Sequence, residues 1–176
     1  MSKSRLFLLI TMVLAAAAAR LVPHAPNFTP VASMALFGGA CFQDKRMAFG
    51  VPVAALLLSD LFLGFHRYLL WVYGCFLLTV CIGFLLKEQR GATRTLGAVV
   101  LSTVVFFVVT NFGVWSVGTL YPHTWAGLTE CFVLAVPFLA NSFLGNLVYA
   151  GVLFGGLALA EKTVPALKPA TASPTC

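Results

Sequence analysis

Six apolar runs constrain the fold of this chain more than any other feature of its sequence. They are separated by short segments that hold most of the charged residues, and they cover residues 5–22, 30–42, 47–64, 68–86, 96–119 and 138–160. A helix that crosses a bilayer needs about 20 predominantly apolar residues. Five runs meet or approach that length, whereas residues 30–42 would span only about 20 Å at ~1.5 Å per residue. Because only 9% of the residues are charged, we predict an all-α integral membrane protein with one six-helix transmembrane domain over residues 1–162.

The distribution of basic residues predicts the orientation of this domain. If the N-terminus lies inside and all six runs cross, nine of the 11 lysines and arginines fall on the inside, and only Arg20 and Arg67 lie outside. This asymmetry follows the positive-inside rule. If the short run did not cross, Lys45 and Arg46 would lie on the same side as Arg67 and the pattern would break. We therefore predict six spans with both termini in the cytoplasm.

A second interpretation of the first run stays open. The stretch MSKSRLFLLITMVLAAAAAR combines a basic start, an apolar stretch and small residues, as a cleavable secretory signal peptide does. Its removal would leave five spans and place the new N-terminus outside.

A polar, proline-rich segment lies directly before the short second run. In PHAPNFTP, the prolines Pro23, Pro26 and Pro30 prevent a regular helix, since proline lacks the backbone N–H and clashes with the preceding turn. Thr29 suits the N-cap position and Pro30 the first helical position, so the second helix is predicted to start part-way into the membrane. Non-helical backbone at that depth must be buried in protein or line a water-filled cavity. We predict a cavity that opens to the outside, and the alternative is an exposed loop with a half-buried helix behind it.

Unusual polar residues gather at the predicted outer ends of the spans. Ionisable residues within membrane spans are costly and usually face the bundle interior or a watery pocket. Small-molecule pockets combine apolar walls with a few convergent polar groups. We therefore predict a substrate-binding site formed by Arg20, His24, Asn27, Asp60, Asn111, Trp115, Tyr121, His123, Glu130 and Asn141.

These residues also have structural interpretations, which the sequence leaves open. Asp60 could form an ion pair with Arg20 or Arg67. Trp115 and Tyr121 could belong to an interfacial aromatic belt. The histidines could be loop residues, and the asparagines could cap broken backbone. No ligand-spaced motif joins the histidines, so we predict no metal site.

The predicted outer connection before the last span contains Glu130, in the stretch TWAGLTECFVLAVP. Pro122 and Pro137 bound this stretch, and proline interrupts a helix interior. We therefore predict a short outer helix that closes the cavity and ends before the last span begins.

Motifs of other protein classes are absent from the sequence. There is no nucleophile elbow, no HExxH and no Walker loop, so we predict neither an enzyme nor a bound cofactor. Basic residues in cytoplasmic loops explain the net charge of +6, and nucleic-acid binding is not needed to account for it. The Pro/Ala/Thr-rich residues 163–176 are predicted to form a disordered cytoplasmic tail.

Two pairs of small residues indicate close helix packing. Ala15 and Ala19 lie four residues apart in the first run, and Gly151 and Gly155 do so in the last. Small residues at this spacing let membrane helices approach closely. We predict that the glycines pack inside the bundle, and that the alanines pack internally or dock a partner protein.

Four stretches of the sequence resemble a known group of proteins. They are PHAPNFTPVASMALFGGACF, VPVAALLLSDLFLGFH, FFVVTNFGVW and LYPHTWAGLTECFVLAVPFLANSFLGNLVY. These stretches, spread over most of residues 20–155, are similar to an uncharacterised bacterial family of small membrane proteins. That family is grouped with the substrate-binding S components of energy-coupling-factor (ECF) transporters.

This resemblance implies a bacterial inner-membrane protein with six helices, both termini inside, and a vitamin-sized pocket that opens outwards. It also implies a membrane coupling subunit with ATPases as a partner. S components dock on that subunit through small residues of the first helix, and Ala15 and Ala19 could match those positions.

Two functions from different classes remain. The first is a substrate-binding component for the uptake of a small molecule. The alternative is a structural or assembly membrane protein without a ligand, which would tolerate the loss of Asp60 or Asn111. A self-contained ion-coupled carrier would usually carry acidic or broken-helix sites at mid-membrane in paired repeats. No such repeat is found in the sequence, so this class is disfavoured.

Overall fold

Six α-helices make up the part of the chain that the structure describes. The structure is a computed structural model and describes residues 1–168. The helices are Lys3–Ala19 (α1), Val31–Cys41 (α2), Lys45–Leu63 (α3), Leu69–Phe84 (α4), Ala92–Val117 (α5) and Trp125–Thr163 (α6). A short 3-10 turn follows at Pro165–Leu167, and residues 1–168 contain no β-strand. The all-helical prediction is therefore confirmed for this part of the chain.

Three of the helices are long and apolar enough to cross a membrane, namely α3, α5 and α6. The helices α2 and α4 are shorter and apolar. Helices α1 to α5 match the apolar runs of the sequence to within four residues at each end, whereas α6 begins 13 residues before its run.

Helix α2 lies at the centre of the bundle. All of its residues, Val31–Cys41, are buried, and it packs against each of the other five helices. Its contact with α4 is made by glycines: a Cβ on Gly39 would overlap the carbonyl of Val80, and one on Gly83 would overlap the carbonyl of Leu36. Only glycine permits this approach of two helix backbones.

The start of α2 differs by one residue from the prediction. Pro30 occupies the N-cap position, and no side chain caps the helix, so the prediction that Thr29 is the N-cap is wrong. Pro30 has a non-helical ψ of 4°, while its carbonyl already accepts the first hydrogen bond of the helix from the backbone N–H of Met34, as an N-cap residue does. The proline-rich segment before it is non-helical, as predicted.

Helix α6 runs without a break through Pro137. The prediction of a separate short outer helix is therefore wrong, and residues 125–137 form the first part of α6. Proline removes only one backbone hydrogen bond, and in apolar surroundings the chain keeps the remaining bonds of a continuous helix. Thr124 is the N-cap residue directly before this helix, and its side-chain oxygen accepts a hydrogen bond from the backbone N–H of Gly127.

One further prediction, for the glycine pair of the last run, differs from the structure. Gly151 and Gly155 lie on an exposed face of α6, where an added Cβ would have no atom within 4 Å, so they do not pack inside the bundle. That residues 163–176 form a disordered tail stays a prediction; Thr163 is the last residue of α6, and the backbone carbonyl of Leu167 accepts a hydrogen bond from Arg5. Residues 169–176 of that tail lie outside the described residues.

Candidate functional site

A cavity of about 360 Å³ opens at the end of the bundle that carries Arg20, called here the Arg20 end. The end of α1, the proline-rich segment and the first turn of α2 form one side of it. The connection between α3 and α4, together with α5 and α6, completes the wall. The broken segment before α2 therefore borders a cavity, as the prolines predicted.

A buried network of polar side chains forms the floor of this cavity. The Ser33 hydroxyl donates to the backbone carbonyl of Asn146 at 2.7 Å. The side-chain amide of Asn146 donates to the Thr103 hydroxyl at 3.0 Å, and that hydroxyl donates to the backbone carbonyl of Val99. These bonds join α2, α5 and α6, so a polar floor lies deep in an otherwise apolar bundle.

The walls of the cavity are aromatic and aliphatic, while its mouth is polar. Phe106, Phe107 and Phe138 supply apolar surface. The exposed side chain of His66 and the half-buried hydroxyl of Tyr68 lie at the mouth. A pocket of this kind can enclose the apolar part of a small molecule and orient its few polar atoms by hydrogen bonds.

Arg20 is held beside the cavity by a network behind it. Its guanidinium forms an ion pair with Asp60 at 2.7 Å and donates to the Ser59 hydroxyl. The other carboxylate oxygen of Asp60 accepts a hydrogen bond from the Tyr73 hydroxyl at 2.9 Å. Asp60 itself is only 3% exposed. Of the two predicted partners of Asp60, the structure therefore selects Arg20.

Three of the ten predicted site residues line the cavity: Arg20, Asn27 and Asn111. Asn27 adopts a positive φ of 62°, a left-handed conformation that asparagine tolerates better than most residues. The amide nitrogen of Asn111 donates to the backbone carbonyl of Phe107 at 2.7 Å, within its own helix. Its amide oxygen is then available to a molecule in the cavity.

Other predicted site residues support the cavity without lining it. Asp60 lies behind Arg20, as described above. Asn141 donates to the carbonyl of Pro26 at 3.0 Å, and this bond ties the proline-rich segment to α6. His24 lies outside the cavity in that segment, where its Nδ1 approaches the carbonyl of Val22.

The remaining four predicted residues lie outside the cavity: Tyr121 and His123 in the connection between α5 and α6, Trp115 in α5 and Glu130 in α6. The indole of Trp115 donates to the carbonyl of Pro122 at 3.0 Å and packs against the ring of His123. Partial burial raises the pKa of Tyr121 above its ordinary value, and the nearby Cys131 and Glu130 add to this shift. These residues hold the connection together at the Arg20 end.

Several cavity residues escaped the sequence analysis. Thr103, which lines the cavity, and Ser33, which is hydrogen-bonded to the lining residue Asn146, resemble ordinary small residues of an apolar run, so their hydroxyls gave no signal. Asn146 is a second asparagine in the last run, only five residues after Asn141, and its polarity could have identified it. His66 belongs to the polar residues beyond the third run, and the cavity includes it.

The comparisons with known proteins identify a family and nothing more specific. A model of a family of unknown function, DUF6580, matches residues 1–167. No curated protein matches the chain, and no solved structure does. Among residues 1–168, no group of three His, Cys, Asp or Glu side chains is placed to hold a metal ion.

Proposed function

Since the chain belongs to the DUF6580 family of unknown function, we propose its role from its own geometry: it is the substrate-binding membrane component of a small-molecule uptake system. The observation that carries this proposal is the cavity at the Arg20 end, with its aromatic walls and polar floor. Its volume of about 360 Å³ falls within the range of about 300–1,000 Å³ typical of ligand pockets. The ligand is a vitamin-sized or smaller organic molecule.

The proposal includes six membrane spans with both termini in the cytoplasm. At ~1.5 Å per residue, α1 and α4 reach about 25 Å, and α2 reaches about 16 Å. The short α2 completes its crossing through the non-helical proline-rich segment, in which Asn27 and Thr29 line the cavity, because non-helical backbone is tolerated where it lines a cavity. With nine of the 11 basic residues inside, the cavity at the Arg20 end opens to the outside.

Transport by this protein requires a partner, and we propose a membrane coupling subunit with ATPases, as in ECF transporters. Two features support this arrangement. Ala15 is exposed and Ala19 is half-buried on α1, so a partner helix can approach α1 closely. The cavity also shares no lining residue with the pocket at the opposite end of the bundle, so we expect release of a ligand to the inside to need movement driven by another protein.

The test of the binding role is to identify a co-purified ligand by native mass spectrometry of gently extracted protein. A matched pair of variants on α5 then assigns the ligand to the cavity. Thr110 lines the cavity, so Thr110→Phe should fill it and remove the bound mass. Val108 lies outside the cavity on an exposed part of the same helix, so Val108→Phe should keep the mass.

Two outcomes contradict the binding role. A wild-type protein without any bound molecule favours the structural alternative, in which the chain only packs against partners. Equal retention of the molecule by both variants places the ligand elsewhere in the protein.

The topology is tested by cysteine labelling in intact cells, on a background without native cysteines. Positions 24–26 and 122–124 should react with a membrane-impermeant reagent, while positions 43–46 and 88–94 should be protected. Labelling at 88–94 would overturn the six-span orientation.

A further inference from the structure

A second cavity, of about 470 Å³, lies at the opposite end of the bundle, called here the Arg5 end. It opens between the start of α1, the connection from α2 to α3, the segment after α4, and α6. This is the end where most lysines and arginines of the chain are found. Nothing in the proposed uptake role uses this cavity.

Five charged side chains line this second cavity: Arg5, Lys87, Glu88, Arg90 and Glu161. Three positive charges against two negative charges leave the lining with a net charge of +1. Both arginines contact the same oxygen, Oε1 of Glu161, at 2.7 Å for Arg5 and 3.5 Å for Arg90. One carboxylate therefore faces two guanidinium groups, and the surplus positive charge remains inside the cavity.

The guanidinium of Arg5 is a buried positive charge. It is only 2% exposed, and it donates to Glu161 and to the backbone carbonyl of Leu167. A buried guanidinium is costly unless it is paired and hydrogen-bonded. Its position keeps Glu161 engaged, which leaves Arg90 with the longer and weaker contact to that carboxylate.

The basic groups nearest the opening keep unused donors. Lys87 donates to the backbone carbonyl of Gln43 at 3.3 Å and lies over the Phe84 ring. Among residues 1–168, Arg90 has one polar contact besides Glu161, to the Cys41 sulfur at 3.7 Å. An ammonium has three N–H donors and a guanidinium has five, so both side chains can donate further hydrogen bonds to an anion.

We propose that this cavity binds the phosphodiester headgroup of an anionic phospholipid from the leaflet at the Arg5 end. A phosphodiester carries one negative charge and would neutralise the net charge of the lining. Its oxygens suit the free donors of Lys87 and Arg90. Phe154, Leu157 and Ala158 form an apolar side of the same cavity, along which an acyl chain can lie. Basic pockets between transmembrane helices bind anionic headgroups in this way.

The test uses the full chain, delipidated in a neutral detergent, with dioleoylphosphatidylglycerol as the anionic probe and dioleoylphosphatidylcholine as the neutral one. Phosphatidylglycerol should raise the melting temperature more than phosphatidylcholine, and native mass spectrometry should count one tightly bound molecule. Each basic group near an anionic surface contributes about fivefold in affinity. Lys87→Gln with Arg90→Gln should therefore weaken phosphatidylglycerol binding by roughly thirtyfold.

A matched double variant controls for the general loss of positive charge. Lys3→Gln with Lys162→Gln removes two positive charges at the same end of the bundle, both on exposed side chains. Neither residue lines the cavity, so the affinity for phosphatidylglycerol should stay close to that of the wild type. Lys87→Gln alone is the second test, because Lys87 takes part in no ion pair within residues 1–168. It should lower the affinity about fivefold without lowering the melting temperature of the lipid-free protein.

The source of the phosphodiester is tested with glycerophosphoglycerol, the headgroup without acyl chains. It should compete only weakly with phosphatidylglycerol, because it lacks the acyl chain that lies along the apolar side of the cavity. Competition at equal concentration would assign the site to a soluble phosphodiester and overturn the lipid assignment. Equal stabilisation by the two lipids, or equal loss of affinity in the control double variant, would overturn the site itself.

Discussion

Replacing Asp60 by asparagine should destabilise the protein through its effect on Arg20. Asp60→Asn keeps the shape of the side chain and an oxygen that accepts the Tyr73 hydroxyl, so the principal change is the loss of the negative charge. The Arg20 side chain is only 13% exposed beside it. Removing one partner of a buried ion pair costs about 3–5 kcal/mol. We expect a loss of about 3 kcal/mol, at the lower end of this range, because Arg20 also borders a cavity.

Thermal unfolding in a mild detergent measures this loss. For chains of 150–250 residues, 1 kcal/mol shifts the melting temperature by roughly 2–4 °C. The expected decrease for Asp60→Asn is therefore about 6–12 °C. The measurement is made on protein freed of bound ligand, so that a change in ligand occupancy does not contribute.

A second substitution separates the ion pair from a general effect of charge. Arg20→Gln in the Asp60→Asn background removes the unpaired charge and should restore a large part of the lost stability. Arg67 lies on the same side but is exposed, and it pairs with no carboxylate among residues 1–168. Arg67→Gln in that background should therefore restore nothing. An unchanged melting temperature for Asp60→Asn, or equal rescue by both arginine substitutions, would refute the reasoning.

Three further predictions follow from the contacts. Gly83→Ala should destabilise the protein by about 1–3 kcal/mol through overpacking against α2, whereas Gly74→Ala on the same helix meets no atom within 4 Å and should leave the melting temperature unchanged or slightly higher. Asn111→Ala should weaken binding of the co-purified ligand by up to about tenfold, measured by titration, without lowering the melting temperature of the empty protein. Replacing Ala15 and Ala19 by leucine should abolish co-purification of the coupling subunit while ligand binding persists, and lost folding would instead assign both alanines to internal packing.

The helices could be predicted from the sequence because their ends coincide with changes of composition. Most of the apolar runs have charged, glycine or proline residues within a few positions of their ends, and these stop a helix for local reasons. The exception is Pro137, where the local rule predicts a break. Whether proline breaks a helix depends on the surroundings of that helix in the folded protein. The residues near Pro137 in the sequence do not reveal those surroundings.

The candidate site could be predicted only in its general position. Arg20 and Asn111 could be identified because polar residues are rare in apolar runs, and Asn27 because it lies in the broken segment before the second run. The role of Asp60 depended on which arginine of another segment approaches it, which is a property of the tertiary structure. Ser33, buried in α2, gave no signal, because a hydroxyl in an apolar run is unremarkable until its partner on α6 is known.

The burial of α2 on every side has a consequence for the biogenesis of the protein. During synthesis α2 emerges second, yet one of the helices that enclose it, α6, emerges last. Until then one face of α2 lacks its α6 neighbour, and its Ser33 lacks the α6 backbone carbonyl that it donates to in the finished bundle. Assembly is therefore completed after translation of the last helix, and a chain that stops before α6 has neither a closed core nor a cavity.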